Sequence, residues 1–273
     1  MIPFRTRLGQ SVAQRGNLCV GVDPHESLVR AWGHDYDLAG LERVSRGLVE
    51  AIGDQVAVFK PQSAFFECFG SAGIAVLGRV LDDIRQSGAL SILDVKRGDI
   101  GSTMTAYAHA YLSGTTDLTA DAITVSPFLG VGSVQPAIDL AHATGRGIYL
   151  LCRTSNPEGD QVQLAAHEQR TVAQQVVDAA RAYNDQSGQH AIGLVIGGTL
   201  RRLDLDLTGY FGSILVPGIG AQGATIDTLA QLFGAAVPNV LPSASRQVMQ
   251  AGPGVDALRS VVNALSKART MSV

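Results

Sequence analysis

The chain has little of what would hold it together through sulfur or metal. Its three cysteines, Cys19, Cys68 and Cys152, are odd in number, far apart and without a Cys-x-x-Cys pair. Such a set builds neither a disulfide framework nor a zinc site. Buried, reduced thiols in a cytoplasmic protein are expected instead. The six histidines, His25, His34, His109, His142, His167 and His190, show no His-x-x-x-His spacing, so no histidine metal motif is present. Charge is sparse, at 16% of 273 residues, and 24 acidic against 21 basic side chains leave a net charge of −3. Without a clustered basic surplus, nucleic acid and anionic membrane are not expected as partners. The start, MIPFRTRLGQS, lacks the apolar core and cleavage site of a secretory signal. The longest uncharged stretch, residues 207–226, holds five glycines, Pro217 and Gln222, and reads as a strand and a loop rather than a membrane span.

What is abundant is apolar side chains, 46% of the chain, enough to fill a large core and too many for disorder. Short β-branched or apolar runs at 18–23, 56–60, 90–96, 122–126, 148–153, 192–197, 213–217 and 239–241 predict eight strands. Between them apolar residues recur at helical spacing: Leu41, Val44, Leu48 and Ile52; Ile74, Leu77, Leu81 and Ile84; Val172, Val176, Ala180 and Tyr183; Val255, Leu258, Val262 and Leu265. Eight strand-then-helix units with no linker-like break fit an α/β fold, a single-domain (β/α)8 TIM barrel over residues 1–273, better than a doubly wound sheet of two domains. The long stretch 154–190 predicts a helical insertion.

In such a barrel chemistry sits at the carboxyl ends of the strands. Here those ends are charged: Asp23 closes LCVGVDP, Lys60 closes VAVFKP, and Asp94 and Lys96 close LSILDVKRGDI. Side chains alternate along a strand, so Asp94 and Lys96 share a face, as do Val56, Val58 and Lys60, and Cys19, Gly21 and Asp23. All three sets are expected to point into the barrel. Asp99 follows after Gly98, which allows a sharp turn, and Ser102 or Thr103 is placed to cap the next helix. A structural ion-pair network is the bland reading, but buried ionic clusters are a poor source of stability, each desolvated charge costing several kcal/mol. Flanking carboxylates favour the ammonium form of Lys96, which suits proton donation or anion binding better than Schiff-base chemistry. His25 is read as a surface residue.

A second signal lies late in the chain. The run Val216-Pro-Gly-Ile-Gly-Ala-Gln-Gly223 follows strand seven, and Pro242-Ser-Ala-Ser-Arg246 follows strand eight. Barrels of this kind often bind phosphate there, on glycine-loop amides and a basic side chain. Gln222 and Arg246 are the natural side-chain ligands.

With DVKRGDI, Lys60 and PGIGAQG, the sequence resembles the orotidine 5′-phosphate decarboxylase family, in particular its longer bacterial subfamily, from about residue 18 to 246. The resemblance implies conversion of orotidine 5′-phosphate to uridine 5′-phosphate and CO₂ in pyrimidine biosynthesis, with no metal and no cofactor. It implies that Asp23 and Lys60 hold the ribose hydroxyls and that Asp94 faces the substrate carboxylate. Lys96 would stabilise and then protonate the C6 carbanion. Asp99 would reach into the neighbouring site of a homodimer, accompanied by Thr103. Ser126 would bind the pyrimidine, and Gly218, Gly220, Gln222 and Arg246 the phosphate. A rival is a magnesium-dependent sugar-phosphate decarboxylase or hexulose-phosphate synthase resembling the 3-keto-L-gulonate 6-phosphate group. These share Asp-x-Lys-x-x-Asp but place an acidic metal ligand where Lys60 stands. A second rival is a barrel that only binds a phosphorylated ligand.

Overall fold

Alternating side chains sort the apolar runs into two packing layers. In the computed structural model, which describes residues 1–219 and 226–267, eight parallel strands close into a barrel in sequence order. They are β1 Cys19–Val22, β2 Val58–Pro61, β3 Leu90–Arg97, β4 Ala122–Val125, β5 Gly147–Arg153, β6 Ile192–Ile196, β7 Ile214–Pro217 and β8 Val240–Ala244. Cys19, Val58, Ile92, Ala122, Tyr149, Val195, Leu215 and Leu241 fill the inside. Val20, Val22, Phe59, Leu93, Ile123, Val125, Leu150, Leu194 and Val216 face the helices. Val56, expected on the inner face with Lys60, precedes β2 and packs in the outer layer.

The principal helices are α1 Phe4–Arg15, α2 Leu38–Ile52, α3 Gly70–Gln86, α4 Gly101–Leu112, α5 Gln135–Thr144, α6 Val172–Ser187, α7 Ile226–Phe233 and α8 Val255–Lys267. Asp37 starts α2 by accepting the Gly40 amide at 2.8 Å, and the stripe Leu41, Val44, Leu48 and Ile52 is fully buried. Val172 and Val255 are exposed, because each begins its helix before the stripe reaches the barrel. Between β5 and α6 the chain inserts a one-turn helix, Asp160–Gln163, and a two-residue antiparallel hairpin pairing Ala166–His167 with Arg170–Thr171.

Further features depart from the sequence reading. First, α1 was not expected; its Phe4 and Leu8 join the inner cluster and close the amino-terminal end of the barrel. Second, β6 is not followed by a helix. Leu203, Leu205, Leu207 and Tyr210 pack on the outer layer in its place, and the Tyr210 hydroxyl donates to the Ile192 carbonyl at 2.7 Å. Third, Cys68 is exposed while Cys19 and Cys152 are buried, because Cys68 lies just past the short helix Ala64–Glu67 outside the barrel. Strand β8 also runs further than expected, with Pro242 inside it opposite Val216.

Strand β3 carries the irregularity that matters most. From Leu93 to Arg97 it advances four residues while β4 advances two, Ile123 to Val125. Within that bulge Lys96 has φ 46°, a left-handed conformation uncommon for a residue with a Cβ. Bulges next to active sites re-aim side chains.

Candidate active site

Asp23, one residue beyond β1, turns back through a bond from the His25 amide to its own carbonyl at 2.8 Å. Its Oδ1 is buried, has no hydrogen-bond partner and lies 3.9 Å from Lys60 Nζ, so it has acceptor capacity for a hydroxyl. Lys60 rises from β2 into the barrel with its side chain only 8% exposed, and Nζ donates to Asp94 Oδ2 at 3.0 Å. Lys96, bent inward by the bulge, donates from Nζ to Asp94 Oδ1 at 2.6 Å and is half exposed. The result is a chain of alternating charge, Asp23, Lys60, Asp94, Lys96, running from a buried pair out to an accessible ammonium.

Burial and pairing oppose each other here. Burial pushes the Asp94 carboxyl up, but Lys60 and then Lys96 outweigh it and hold the group well below the usual carboxylate range. Burial pushes the Lys60 ammonium down, and Asp23 and Asp94 outweigh it in turn, so Lys60 stays charged well above the ordinary lysine range. Asp94 is therefore fixed as an anion between two cations.

Next to this array a cavity of about 160 Å³ is lined by Asp23, His25, Lys60, Gly218, Ser243 and Arg246 among others. Larger grooves of about 960 and 1070 Å³ lie between helices on the outside, and one of about 580 Å³ past β5 is lined by Arg153, Asp160 and Asp204; none of the three contains a member of the charged array, whereas Asp23 and Lys60 line the small cavity. Gly218 leaves β7 at φ 101°, which a side chain would strain, and Arg246 opens the short helix Arg246–Met249 on the facing side. Gly220 and Gln222 lie outside the described residues.

The remaining expected residues stand apart. Ser126 meets the β3 end through its backbone, its amide donating to the Arg97 carbonyl at 2.8 Å. A Cβ on Gly98 would come within 2.2 Å of the Ser126 oxygen, so Gly98 permits close approach rather than a special φ. Asp99 is half-buried and accepts the Ile100 amide at 2.8 Å, clear of the Lys60–Asp94–Lys96 array. The expected cap from Ser102 or Thr103 is not made: Ile100 is the N-cap of α4 without a side-chain bond, and Thr103 is exposed. Two site residues were missed. His25 is half-buried with its ring edge-on to Phe65, centroids 4.3 Å apart, and lines the cavity; its place two residues after Asp23 was the available signal. Thr124 bonds both Asp94 and Lys96, yet in AITVS it reads only as a strand former.

The chain is similar to known proteins along nearly its whole length. Residues 16–261 match the profile of the orotidine 5′-phosphate decarboxylase / HUMPS family. An orotidine 5′-phosphate decarboxylase of Salinispora arenicola is 51% identical over 265 residues, spanning 96% of this chain and 95% of that one. One from a Nocardioides species is 52% identical over 255 residues, spanning 92% and 93%. A Streptomyces avermitilis crystal structure, described as a candidate for the same enzyme, superposes with a TM-score of 0.93 at 49% identity, covering 100% of this chain and 96% of the other.

Proposed function

The chain belongs to the orotidine 5′-phosphate decarboxylase / HUMPS family, and from that premise we propose that it is a carboxy-lyase converting orotidine 5′-phosphate to uridine 5′-phosphate and CO₂ without metal or cofactor. The observation that carries the reading is the array Asp23–Lys60–Asp94–Lys96, an anion locked between two ammonium groups beside a cavity that ends on Arg246.

When the C6–carboxylate bond breaks, CO₂ departs and the bonding pair stays on C6. The Lys96 ammonium, accessible and aimed by the bulge, stabilises that carbanion and delivers a proton to it; water then reprotonates the amine. Asp94 faces the substrate carboxylate and holds both lysines. Asp23 and Lys60 take the ribose hydroxyls, Ser126 the pyrimidine, and Gly218, Gly220, Gln222 and Arg246 the phosphate. Binding energy from that remote phosphate fixes the ring against Lys96.

Asp99 belongs, on this reading, to the neighbouring site of a homodimer. Its separation from the array within one chain supports that, as do exposed Ile100, Phe128 and Leu129 at the ends of β3 and β4. Among the described residues no helix is long and apolar enough to cross a membrane, and a cytoplasmic location goes with the proposed activity. The magnesium-dependent alternative is disfavoured by Lys60, since a buried cation at the end of β2 opposes a divalent metal.

The test is turnover of orotidine 5′-phosphate in excess EDTA, followed by loss of orotate absorbance. Full activity in EDTA is expected. No turnover would sink the reading, and turnover only with added magnesium would favour the sister activity.

A further inference from the structure

We infer that Thr124 is a positioning residue for this chemistry, its hydroxyl tying the Lys96 backbone to the Asp94 carboxylate so that ammonium and carboxylate keep one geometry. The inference rests on the decarboxylase reading above. Thr124 lies on β4 and is 1% exposed. Its Oγ1 accepts the Lys96 amide at 3.0 Å and donates to Asp94 Oδ1 at 2.8 Å. The same Asp94 oxygen accepts from Lys96 Nζ at 2.6 Å.

A hydroxyl has one proton and two lone pairs. The amide occupies a lone pair, so the proton is directed to Asp94, and the chain amide–hydroxyl–carboxylate has a single sense. It closes a small loop: Lys96 backbone to Thr124, Thr124 to Asp94, Asp94 to Lys96 Nζ. The bulge gives Lys96 its inward aim but leaves it at φ 46°, a conformation that persists only where surroundings over-determine it. The Thr124 hydroxyl is a side-chain contact on that backbone. Because threonine is β-branched, its χ1 is stiff, and the hydroxyl is held rather than searching. The Lys96 side chain is half exposed and would otherwise sample several rotamers.

Removing the hydroxyl should therefore lower kcat, which depends on the placement of Nζ, and leave KM, which depends on ribose and phosphate contacts elsewhere. Thr124→Val keeps shape and volume; Thr124→Ser keeps the hydroxyl. The expected result is a fall in kcat of about 10–100-fold for Thr124→Val with KM within about twofold, and recovery to within about threefold in Thr124→Ser. Thr124→Ala serves the same comparison if the valine variant folds poorly. Hydrogen exchange at the Lys96 amide, measured alongside, should quicken in Thr124→Val and not in Thr124→Ser. Wild-type kcat in Thr124→Val, a loss confined to KM, or serine as impaired as valine would each overturn the inference. Failure of the wild-type protein to turn over orotidine 5′-phosphate would instead sink the functional reading, and the exchange rates would still decide whether Thr124 holds the Lys96 backbone.

Discussion

At the amino-terminal end of the barrel, Phe4 and Leu8 of α1 join the inner cluster that holds Tyr149, Cys19 and Ile92, with Phe4 edge-on to Tyr149 at 6.1 Å. The charges there, Arg7 and Asp121, pair at the rim with each side chain about a quarter exposed. At the carboxyl end the same interior is filled by Lys60, Asp94 and Thr124, and the Lys60 side chain is 8% exposed. One end gains by removing apolar surface from water, at about 25 cal/mol per Å². The other desolvates ions, at several kcal/mol each, and recovers that only through pairing. A barrel closed at one end by Phe and Leu could be closed the same way at the other. That it is not locates function there, and the two ends should respond oppositely to mutation.

The largest contrast is expected from Lys96→Ala. Loss of a proton donor and of carbanion stabilisation should lower kcat/KM by about 10⁴-fold, while the melting temperature moves little, because Lys96 is half exposed and Asp94 keeps its pairing with Lys60. Steady-state kinetics beside calorimetry would check both halves. A variant that loses stability in step with activity would mean the carboxyl end is structural after all. At the opposite end Leu8→Ala should cost about 3–5 kcal/mol in denaturant unfolding, with kcat per folded molecule unchanged.

Acid should distinguish the ends further. Asp94 is held below the ordinary carboxylate range by Lys60 and Lys96 acting against burial. Its ionised form therefore stabilises the fold above about pH 4, the unfolded value, and that contribution is lost as pH falls toward the folded one. Asp94→Asn leaves Lys60 with Asp23 alone at 3.9 Å, and should cost about 1–3 kcal/mol at neutral pH. The gap between wild type and variant should then close below about pH 4. A gap constant down to pH 2 would show that Asp94 contributes shape rather than charge.

The same division governs what sequence could reveal. Strand positions were legible because β-branched runs recur between helical stripes, and Asp23, Lys60, Asp94 and Lys96 because a charge ending an apolar run has no other ready explanation. The inward aim of Lys96 was inferred from simple alternation; the structure achieves it through a bulge, which a local pattern does not announce. Thr124 was illegible since threonine in a strand needs no special reason. Helix α1 carries Arg5, Arg7 and Arg15 beside only a few apolar residues. Its role depends on a long-range fit beneath the barrel that no 12-residue window contains. The helix missing after β6 follows similarly, since Leu203, Leu205 and Leu207 supply the covering surface with extended rather than helical spacing.

The smallest effect concerns Cys19, which sits on the boundary between the two regimes: in the apolar cluster, with Lys60 as its charged neighbour. Burial raises its thiol to about 12 despite the opposing pull of Lys60, and burial raises Cys152 to about 12 as well. At pH 8 a thiol of that strength is almost wholly protonated, and its burial also keeps reagent away. Exposed Cys68 should thus react with a thiol reagent alone in the native protein, and Cys68→Ser should change stability by less than about 0.5 kcal/mol. Cys19 then becomes a probe of which end opens. If α1 is the seal, Leu8→Ala should speed labelling of Cys19 while Lys96→Ala leaves it slow, because the charged end is held by the Lys60–Asp94 pair rather than by Lys96. Faster labelling in Lys96→Ala than in Leu8→Ala would reverse that assignment and make the ion array the barrel's closure.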